Sequence, residues 1–479
     1  MMAMNSSAVR ERFNGDHHRP RFHFLPPSNW MNDPNGVIQW NGHYHLFYQY
    51  NPFDSVWGNM HWGHAVSADL VHWQDLPIAV SPTPGGPDET GVFSGCAVVH
   101  DGVPTIVYTG VSGECCDNQT QNIAISRDPD LISWEKYTGN PVLSEVPPIT
   151  GQKQNFRDPF VWRESDGWYM LVASELRGTG GVLFLYRSQN LIDWEYLHPF
   201  MTGDKAINGV IWECPNFFPI GDEWVLIISA HTGHDTGCVF YFIGSYENHH
   251  FTPRHEGVLD YAAMYAPLSM QDDQGRRVLF GWIRETRPPH EMRKAGWSGA
   301  QSIPRVLGVD AKHRLVMHPV PEIEGIRGAH HRPYGEAQPL DSEITLPVSG
   351  LHFDITAEVT LGVDATCTLS VAVSADGRER TDIIYDAARQ YLTVQTRVPS
   401  VGAMQITQAR SIPHTLDAEE PLSLRVLLDG SVLEVIANQR TSLTHRMYPT
   451  TASSNGLRLA GSRATLRALD LWEMPSIWQ

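Results

Sequence analysis

Cysteine is scarce in this chain of 479 residues, and its spacing is not that of a metal site. None of the six cysteines forms a C-x-x-C pair, the arrangement typical of zinc knuckles. We therefore expect reduced thiols, several of them buried in strands, and interpret the adjacent pair at 115–116 as part of a loop. The six are Cys96, Cys115, Cys116, Cys214, Cys238 and Cys367.

Basic residues are also few, and no run of lysine or arginine occurs. Only 35 Lys and Arg oppose 53 Asp and Glu, which makes the formal net charge −18. Nucleic-acid-binding proteins need a basic surface, so this class of partner is excluded. The acidic balance also argues against a highly anionic substrate, unless a local basic pocket overrides it.

Long apolar runs are missing as well. No stretch approaches the roughly 18 residues of a membrane helix, which argues against a membrane partner. The N-terminal residues lack the apolar core of a signal peptide, so the sequence predicts a cytoplasmic protein. A secreted protein whose signal has been removed would look the same. The sequence leaves the oligomeric state open.

Turn and aromatic residues are abundant, with 40 Gly, 33 Pro and 15 Trp, which favours an all-β protein. Five aromatic or β-branched runs each follow a turn containing glycine. The glycines lie at 42, 102, 167, 221 and 275, at intervals of 60, 65, 54 and 54 residues. A second repeat, typified by "ADLVHWQDL", contains Trp73, Trp134 and Trp194. Units of this length, made of short strands, predict a five-bladed β-propeller.

The pattern changes after residue 330. A polar junction, "HHRPYGEAQPLDSE", is followed by segments that alternate apolar and polar residues, as in "LHFDITAEVTLGV". This alternation predicts antiparallel strands with one buried face, and hence a C-terminal β-sandwich. We predict an N-terminal tail over 1–20, a catalytic propeller over 21–332 and a sandwich domain over 333–479.

Three acidic residues occupy nearly the same place in three repeats. Asp33 lies 9 residues before Gly42, Asp158 lies 9 before Gly167, and Glu213 lies 8 before Gly221. That place is the start of the innermost strand of a blade, and innermost strands line the central channel. The spacing therefore predicts that the three carboxylates converge at one mouth of the channel.

A convergent set of carboxylates suits glycoside hydrolysis. One carboxylate attacks the anomeric carbon while another, protonated, donates to the leaving oxygen, so the two groups need different pKa values. Trp212 and Cys214 flank Glu213, and this apolar setting predicts a raised pKa and the acid/base role. Arg157 beside Asp158 predicts that Asp158 is held ionised and stabilises charge.

The motifs resemble those of glycoside hydrolase family 32, the invertase, inulinase, levanase and fructosyltransferase family. "WMNDPNG", "FRDP" and "WECP" correspond to its three acidic signatures, and "GVFSG" and "GWSGAQSIPR" follow its pattern. The resemblance implies a five-bladed propeller with a C-terminal sandwich and a retaining, exo-acting β-fructofuranosidase. It implies Asp33 as nucleophile, Glu213 as acid/base and Asp158 as transition-state stabiliser.

The resemblance also implies a pocket for the terminal fructose and no metal or other cofactor. His43 and His45 share a strand face as metal ligands would, but no third ligand follows at a recognisable spacing. The implied pocket residues are Asn32, Gln49, Trp57, Phe93, Ser94, Arg157, Tyr265 and Trp282.

Three positions depart from the family pattern. Asn216 replaces the Asp that commonly follows "WECP", a position on the leaving-group side in several relatives, which puts a preference for sucrose in question. The stretch at 259–267, which supplies Tyr265, is one residue shorter than in the family. Cys96 replaces a usual serine.

Alternative functions stay open at this point. A fructosyltransferase would form the same covalent intermediate and pass it to a sugar hydroxyl rather than to water. An inverting five-bladed glycosidase acting on arabinan would separate its carboxylates more widely. A non-catalytic carbohydrate-binding propeller is the alternative from another class, and the presence of all three acids argues against it. The preference among sucrose, inulin and levan is also open.

Overall fold

β-Strands form nearly all of the regular structure, which confirms the predicted all-β class. The structure is a computed structural model that describes residues 6–114, 116–148, 154–232, 236–400 and 403–478. The chain divides into two compact units near Val320, whereas the sequence-based prediction placed the domain boundary at 332/333. The first unit contains Leu25–Leu259 and Tyr265–Val320; the second contains Arg10–Phe24, Asp260–Met264 and the described residues from Pro321 onward.

Among the described residues, 22 strands lie wholly or almost wholly in the first unit. They are β1 (Asn29–Trp40), β2 (His43–Asn51), β3 (His61–Ser67), β4 (Trp73–Val80), β5 (Gly91–His100), β6 (Val103–Ser112), β7 (Asn118–Ile125), β8 (Glu135–Lys136), β9 (Arg157–Glu164), β10 (Gly167–Leu176), β11 (Gly180–Ser188), β12 (Glu195–Thr202), β13 (Ile211–Ile220), β14 (Glu223–His231), β15 (Thr236–Glu247), β16 (His250–Asp260), β17 (Met264–Gln271), β18 (Arg277–Ile283), β19 (Trp297–Ser298), β20 (Ala300–Gln301), β21 (Arg305–Val309) and β22 (Leu315–Pro319).

Four sheets of this unit have the form of propeller blades. Strands β1–β4, β5–β8 and β9–β12 each pair in chain order, and β17, β18, β21 and β22 form a fourth sheet. Strands β13–β16 also follow one another in chain order by antiparallel pairing. A propeller arrangement is therefore present, and the predicted count of five blades stays a prediction.

The predicted hairpin turns connect the first two strands of these sheets. Asn41 and Gly42, between β1 and β2, both have positive φ angles of 49° and 78°. Asp101 and Gly102, between β5 and β6, repeat this with 50° and 76°. Two successive positive φ angles define the type I′ turn, whose twist matches that of the flanking strands. The residue types therefore determined these turns locally.

The tryptophan repeat has the same local structure in all three copies. The indole Nε1 of Trp73, Trp134 and Trp194 donates to a leucine carbonyl three residues earlier, at 3.2, 2.7 and 3.0 Å. Each of these leucines has a positive φ, of 65°, 55° and 63°. An unfavourable backbone conformation is thus stabilised by the same indole hydrogen bond each time.

The first sheet is completed by residues from far along the chain. β19 pairs parallel with β1, with Asn29 opposite Trp297 and Trp30 opposite Ser298. Gly299 follows with a φ of 78°, and a Cβ there would lie 2.2 Å from the carbonyl oxygen of Met31. Only glycine allows the two backbones to approach this closely. The pairing of β19 with β1 therefore holds in position the part of β1 that carries Asp33.

The second unit contains the remaining strands and a sandwich-like core. They are β23 (His330–His331), β24 (Gln338–Pro339), β25 (Ile344–Ser349), β26 (His352–Val373), β27 (Arg380–Asp386), β28 (Tyr391–Ser400), β29 (Ala403–Pro413), β30 (Leu422–Asp429), β31 (Val432–Ala437), β32 (Thr441–Arg446) and β33 (Gly456–Glu473). The long strands β26 and β33 pair along most of their length. Their inward side chains form one aliphatic core with those of β27, β28, β30 and β31, as the alternating pattern predicted.

Helix is confined to short segments among the described residues. α1 spans Ser6–Glu11, α2 spans Pro289–Ala295, and a 3-10 helix spans Pro321–Ile326. None of the described helices is long and apolar enough to cross a membrane. α2 ends at Gly296 in the left-handed conformation, directly before β19.

Replacing Gly299 by alanine should destabilise the protein more than replacing Gly42 does. Both glycines have a φ of 78°, so each substitution carries the same backbone strain of about 1 kcal/mol. A Cβ at Gly42 meets nothing within 4 Å, whereas at Gly299 it meets the Met31 carbonyl. Chemical denaturation of Gly299→Ala and Gly42→Ala measures the difference. Equal losses of stability would show that the close approach to β1 is unimportant.

Candidate active site

The innermost strands carry a β-bulge at the point where the candidate residues lie. Register shifts occur in β1 between Met31 and Pro34, in β5 between Val92 and Gly95, and in β13 between Glu213 and Asn216. β9 has the same feature next to Asp158. A bulge leaves a residue unpaired in the ladder and re-aims its side chain. The bulges thus take Asp33, Ser94 and Asp158 out of regular strand positions, and Glu213 lies at the edge of the bulge in β13.

A dipeptide ending in proline recurs at two of these bulges and on β17. Asp158, Cys214 and Ala266 each precede a proline and have positive φ angles of 59°, 47° and 48°. Such φ angles are uncommon for residues other than glycine and cost free energy. A small cavity of about 10 Å³ is lined by the first two of these dipeptides together with Pro267, Pro34 and Ser94. The strands therefore meet almost without a gap beneath the carboxylates.

Asp33 is held by two short side chains. Ser94 Oγ donates to Asp33 Oδ2 at 2.6 Å, and Asn32 Nδ2 donates to Asp33 Oδ1 at 3.1 Å. Asn32 is itself fixed, because Trp30 Nε1 donates to its Oδ1 at 2.7 Å and Gln301 Nε2 donates to its carbonyl oxygen at 2.8 Å. Both contacts to Asp33 favour the ionised carboxylate and hold it in one orientation.

Glu213 is bound on both of its oxygens. Arg157 Nη2 and Nε donate to Glu213 Oε1 at 2.6 and 3.2 Å, and Tyr265 OH donates to Oε2 at 2.5 Å. The side chains of Arg157 and Glu213 are only 13% and 15% exposed, so solvent screens this ion pair little. The shortened stretch that supplies Tyr265 therefore still delivers its hydroxyl to Glu213.

Asp158 and Asp33 share a contact with the Cys214 thiol. Cys214 Sγ lies 3.6 Å from Asp33 Oδ2 and 3.7 Å from Asp158 Oδ2, and the Cys214 backbone N–H donates to Asp158 Oδ2 at 3.3 Å. Burial and the surrounding carboxylates raise the pKa of this thiol well above its usual value. Cys214 is therefore a neutral thiol, able to donate weakly to either aspartate.

The three carboxylates have unequal pKa values. Burial, opposed by the hydrogen bonds from Ser94 and Asn32, raises the pKa of Asp33 to about 6. Burial also raises the pKa of Asp158 to about 7, opposed by the Arg157 charge and assisted by the charges of Glu213 and Asp33. The pKa of Glu213 is lowered, because the Arg157 charge and the Tyr265 hydrogen bond outweigh burial. Because these acids interact strongly they titrate as a set, in which burial favours protonation of Asp158 and Arg157 favours ionisation of Glu213.

This order of pKa values corrects two expectations from the sequence. The apolar neighbours of Glu213 were expected to raise its pKa, and Arg157 was expected to hold Asp158 ionised. Arg157 instead lies 2.6 Å from Glu213 and 3.6 Å from Asp158. The strand places Arg157 beside Asp158 in sequence, but its side chain reaches across to β13. Sequence adjacency therefore indicated the more distant of the two acids that Arg157 pairs with, and its charge does not outweigh the burial of Asp158.

The other predicted pocket residues fall into a buried group and an aromatic rim. Gln49 is buried and donates to the Val92 carbonyl at 3.0 Å. Trp57 is 53% exposed and packs edge to face with Phe93 at 6.0 Å. Trp282 packs against Trp30 at 5.8 Å, and its indole N–H has no hydrogen-bond partner among the described residues. The exposed Trp57 ring suits contact with a sugar, whereas the unpaired Trp282 N–H is itself buried.

Asn216 does not face a leaving group, contrary to the expectation from the sequence. It is fully buried, and its Nδ2 donates to the carbonyl oxygens of Cys214 and Pro267 at 3.2 and 2.8 Å. Its Oδ1 accepts from the backbone N–H and the hydroxyl of Ser269 at 2.8 and 2.9 Å. Asn216 therefore connects β13 to β17, and an amide suits this role because it both donates and accepts.

The structure assigns positions to residues that the sequence reasoning missed. Cys214 contacts two acids, Thr109 Oγ1 accepts from the Asp158 backbone N–H at 3.0 Å, and Gln301 supports Asn32. The repeated X-Pro dipeptide was the available signal for Cys214. No group of three potential metal ligands occurs within the described ranges, and His45 bonds His64 at 3.0 Å instead.

The chain matches two family models, and the boundary between the matched ranges lies close to the boundary between the two units. Residues 23–319 match the glycosyl hydrolases family 32 N-terminal domain, and residues 322–473 match the family 32 C-terminal domain. A sucrose-6-phosphate hydrolase of Zymomonas mobilis is 32% identical over 470 residues, covering 91% of this chain and 88% of that protein. A levanase of Bacillus subtilis (strain 168) is 31% identical over 513 residues, covering 100% of this chain and 73% of that protein.

The similarity extends to solved structures. A variant of fructan 1-exohydrolase IIa from Cichorium intybus, in complex with 1-kestose, has a TM-score of 0.85 and 27% identity. The alignment covers 96% of this chain and 98% of that one.

Replacing Asp158 by asparagine should stabilise the protein more at pH 8 than at pH 4. Because the pKa of Asp158 rises from about 4 in the unfolded chain to about 7, folding takes up a proton between these values. The stability this group contributes is full below pH 4 and is lost as the pH rises through 7. Asparagine cannot titrate and so avoids this loss. The melting temperatures of Asp158→Asn and wild type, compared at both pH values, measure it.

The matched control is Asp130→Asn, because Asp130 is exposed and has no ion pair among the described residues. It should shift the melting temperature equally at both pH values. An effect of Asp158→Asn that does not depend on pH would contradict the assignment.

Proposed function

The chain belongs to glycoside hydrolase family 32, and from this premise we propose that it is a retaining, exo-acting β-fructofuranosidase. It would hydrolyse terminal β-D-fructofuranosyl linkages of sucrose or of fructans. The observation that supports this most directly is the convergence of Asp33, Asp158 and Glu213 within one unit, each in a different chemical setting.

Asp33 suits the role of nucleophile. Its carboxylate would attack C2 of the fructosyl unit, forming an ester-like bond as the bond from C2 to the leaving oxygen breaks. Ser94 and Asn32 bind its two oxygens and so restrict rotation of the carboxylate. Holding the attacking atom in place lowers the entropic part of the barrier.

Glu213 suits the role of acid and base. It would give its proton to the leaving oxygen and then take a proton from the water that hydrolyses the intermediate, restoring Asp33 with net retention. The Tyr265 hydroxyl fixes the orientation of Glu213 in both steps. A sugar hydroxyl in place of that water would make the transferase product.

The free site holds its proton in a different place from the one that catalysis needs. Arg157 and Tyr265 favour ionised Glu213, whereas burial favours protonated Asp158. Hydrogen bonds from fructosyl hydroxyls to Asp158 would favour its ionised form. We propose that substrate binding in this way moves the shared proton to Glu213, so that the acid is ready only when the sugar is bound.

We also infer that β13–β16 are the fourth of five blades. Their antiparallel order and the bulge at Glu213 repeat the pattern of β9–β12, which supports the inference. Five blades agree with the five turn glycines of the sequence.

The relatives agree on the terminal fructosyl group of the substrate and differ in the leaving group. The relatives are called a levanase, a sucrose-6-phosphate hydrolase and a fructan 1-exohydrolase, and a fructosyl group is common to these names. Trp57, exposed at the rim and packed on Phe93, offers an aromatic surface to that sugar.

Hydrolysis and transfer can be separated by their products. We expect mainly free fructose from sucrose, inulin, levan and short fructo-oligosaccharides at high donor concentration. Chromatography that resolves the products checks this. Mainly oligosaccharide or cyclic difructose, with little free fructose, would identify a fructosyltransferase.

Replacing Asp33 and replacing Glu213 should produce different defects. Asp33→Ala should lower kcat on every fructoside by on the order of 10⁴-fold, because no covalent intermediate can form. Glu213→Ala should lower kcat on sucrose by about 10²–10⁴-fold. It should affect the fructosylation of an activated aryl β-fructofuranoside much less, since that leaving group needs no proton. Pre-steady-state kinetics with the aryl substrate measure this step.

The control for both variants is Glu135→Ala, which removes an exposed acid on β8 and should leave kcat unchanged. If Asp33→Ala retained wild-type turnover, Asp33 could not be the nucleophile. Equal losses of Glu213→Ala on both substrates would contradict its role as acid.

The pH dependence of kcat/KM should be a narrow bell. Activity should fall below about pH 6, where Asp33 becomes protonated, and above about pH 7, where the coupled acids lose their shared proton. Tyr265→Phe removes one hydrogen bond to ionised Glu213, so it should move the upper limb to higher pH. Initial rates at low substrate concentration measure both limbs. A flat profile from pH 5 to 9 would contradict this scheme.

A further inference from the structure

A second, much larger cavity lies at the other end of the innermost strands. The acids lie near the start of β1, β9 and β13, whereas this cavity is lined by residues near the end of each strand, such as Gln39, Arg163 and Pro219. Its volume is about 1120 Å³. It is separate from the residues that the proposed reaction uses, and that reaction assigns it no role.

One cation in this cavity has no counter-ion. Arg277, on β18, lines the cavity and has no carboxylate within 4 Å among the residues that the structure describes. Its Nε donates to Ser269 Oγ at 2.9 Å and its Nη2 donates to the Ser269 carbonyl at 3.1 Å. Three of the five N–H donors of the guanidinium are therefore left for another partner.

The surroundings of Arg277 are partly apolar, so a guanidinium charge without a counter-ion is energetically unfavourable there. Its guanidinium lies 4.0 Å over the Phe218 ring. The side chain is half-buried because the cavity admits solvent, yet protein atoms surround it closely enough that desolvation lowers its pKa to about 9. Arginines elsewhere in this unit, such as Arg276 and Arg314, have aspartate partners at 2.7 and 2.8 Å. An anion in the cavity would supply the missing partner.

The acids of the cavity are already bound to other groups. Glu164 accepts from Trp162 Nε1 at 2.8 Å and from Tyr246 OH at 2.9 Å. Asp166 pairs with Arg187 at 2.9 Å, on a side chain that is 44% exposed. The Trp162 and Tyr246 donors are neutral and leave the Glu164 charge in place, but neither acid pairs with Arg277. The Arg277 guanidinium therefore has no direct carboxylate partner among the described residues.

We propose that this cavity binds a phosphoryl-bearing anion, with the Arg277 guanidinium as its principal contact. A phosphoryl group matches the planar donor set of arginine, which can bind two of its oxygens at once. Ser269, itself bound to Asn216, fixes the guanidinium, so little side-chain entropy would be lost on binding. A second cation, Arg163, also lines the cavity and lies 5.1 Å over Trp168 without an ion pair among the described residues.

The size of the cavity allows a sugar ring on the anion. A cavity of about 1120 Å³ is far larger than inorganic phosphate needs, and aromatic side chains such as Trp168, Trp224 and Tyr246 line it. Aromatic walls with a few polar groups are typical of sites for small organic ligands. Inorganic phosphate and a hexose phosphate are thus two sources of the same phosphoryl chemistry.

Isothermal titration calorimetry at constant ionic strength tests the proposal. The probes are inorganic phosphate, glucose 6-phosphate and glucose, each in the presence of saturating fructose so that the fructoside pocket is filled. We expect the two phosphates to bind the full-length wild type and glucose not to bind. Tighter binding of glucose 6-phosphate than of phosphate would identify a hexose phosphate, and equal binding would identify the phosphoryl group alone as the ligand.

Substitutions then locate the site. Arg277→Met keeps the side-chain bulk and should weaken binding of both phosphates at least tenfold, whereas Arg277→Lys keeps the charge and should weaken it less. The matched control Arg314→Met removes an arginine that is paired with Asp310 and does not line the cavity, so affinity should not change. If Arg277→Met does not fold, the comparison of Arg277→Lys with Arg314→Met decides.

The proposal is overturned if the wild type binds neither phosphate. It is also overturned if the Arg277 variants bind as tightly as wild type, which would leave Arg277 with only its packing on Phe218 and its bonds to Ser269. Hydrolysis of sucrose is measured in parallel, and neither result depends on it, so failure of this proposal and failure of the proposed function are distinguishable.

Discussion

The excess of buried negative charge over positive charge is the constraint on which the active site depends. Of the three carboxylates, Glu213 and Asp158 pair with Arg157, and Asp33 has no ion-pair partner among the residues that the structure describes. Because like charges in a poorly screened setting cannot all ionise near neutral pH, the set retains a proton. Arg157 and Tyr265 lower the pKa of Glu213, so in the free protein they disfavour the proton on this residue.

The backbone is shaped to hold these charges together. Bulges in β1, β5, β9 and β13 turn side chains toward one another, and left-handed residues before prolines bring the strands into close contact. Each feature costs local free energy. The extensive apolar core and the repeated tryptophan-to-carbonyl bonds stabilise the scaffold that offsets this cost. Strain is therefore concentrated where the proposed chemistry occurs, and regular hairpins surround it.

A chain of hydrogen bonds runs from the acids to the far cavity through Asn216 and Arg277. Asn216 binds Cys214, beside the acids, and also Ser269, which in turn binds Arg277 at the far cavity. Asn216, which departs from the family pattern, therefore connects two strands by hydrogen bonds and does not contact the leaving group. A single residue can be unusual for its family because of a partner that only folding brings near.

The sequence by itself determined the all-β class, the hairpin turns, the change of architecture in the C-terminal part and the convergence of the three acids. These follow from local rules, because turn residues such as Asn41 and Gly42 act over a few positions and a repeat implies equivalent places in space. Only the tertiary structure decided which groups the acids touch. Arg157 is next to Asp158 in the chain but binds Glu213, and Cys214 lies between two acids that are 125 residues apart in sequence. Electrostatic interactions fall off with distance in space, so pKa values depend on contacts that no local pattern specifies.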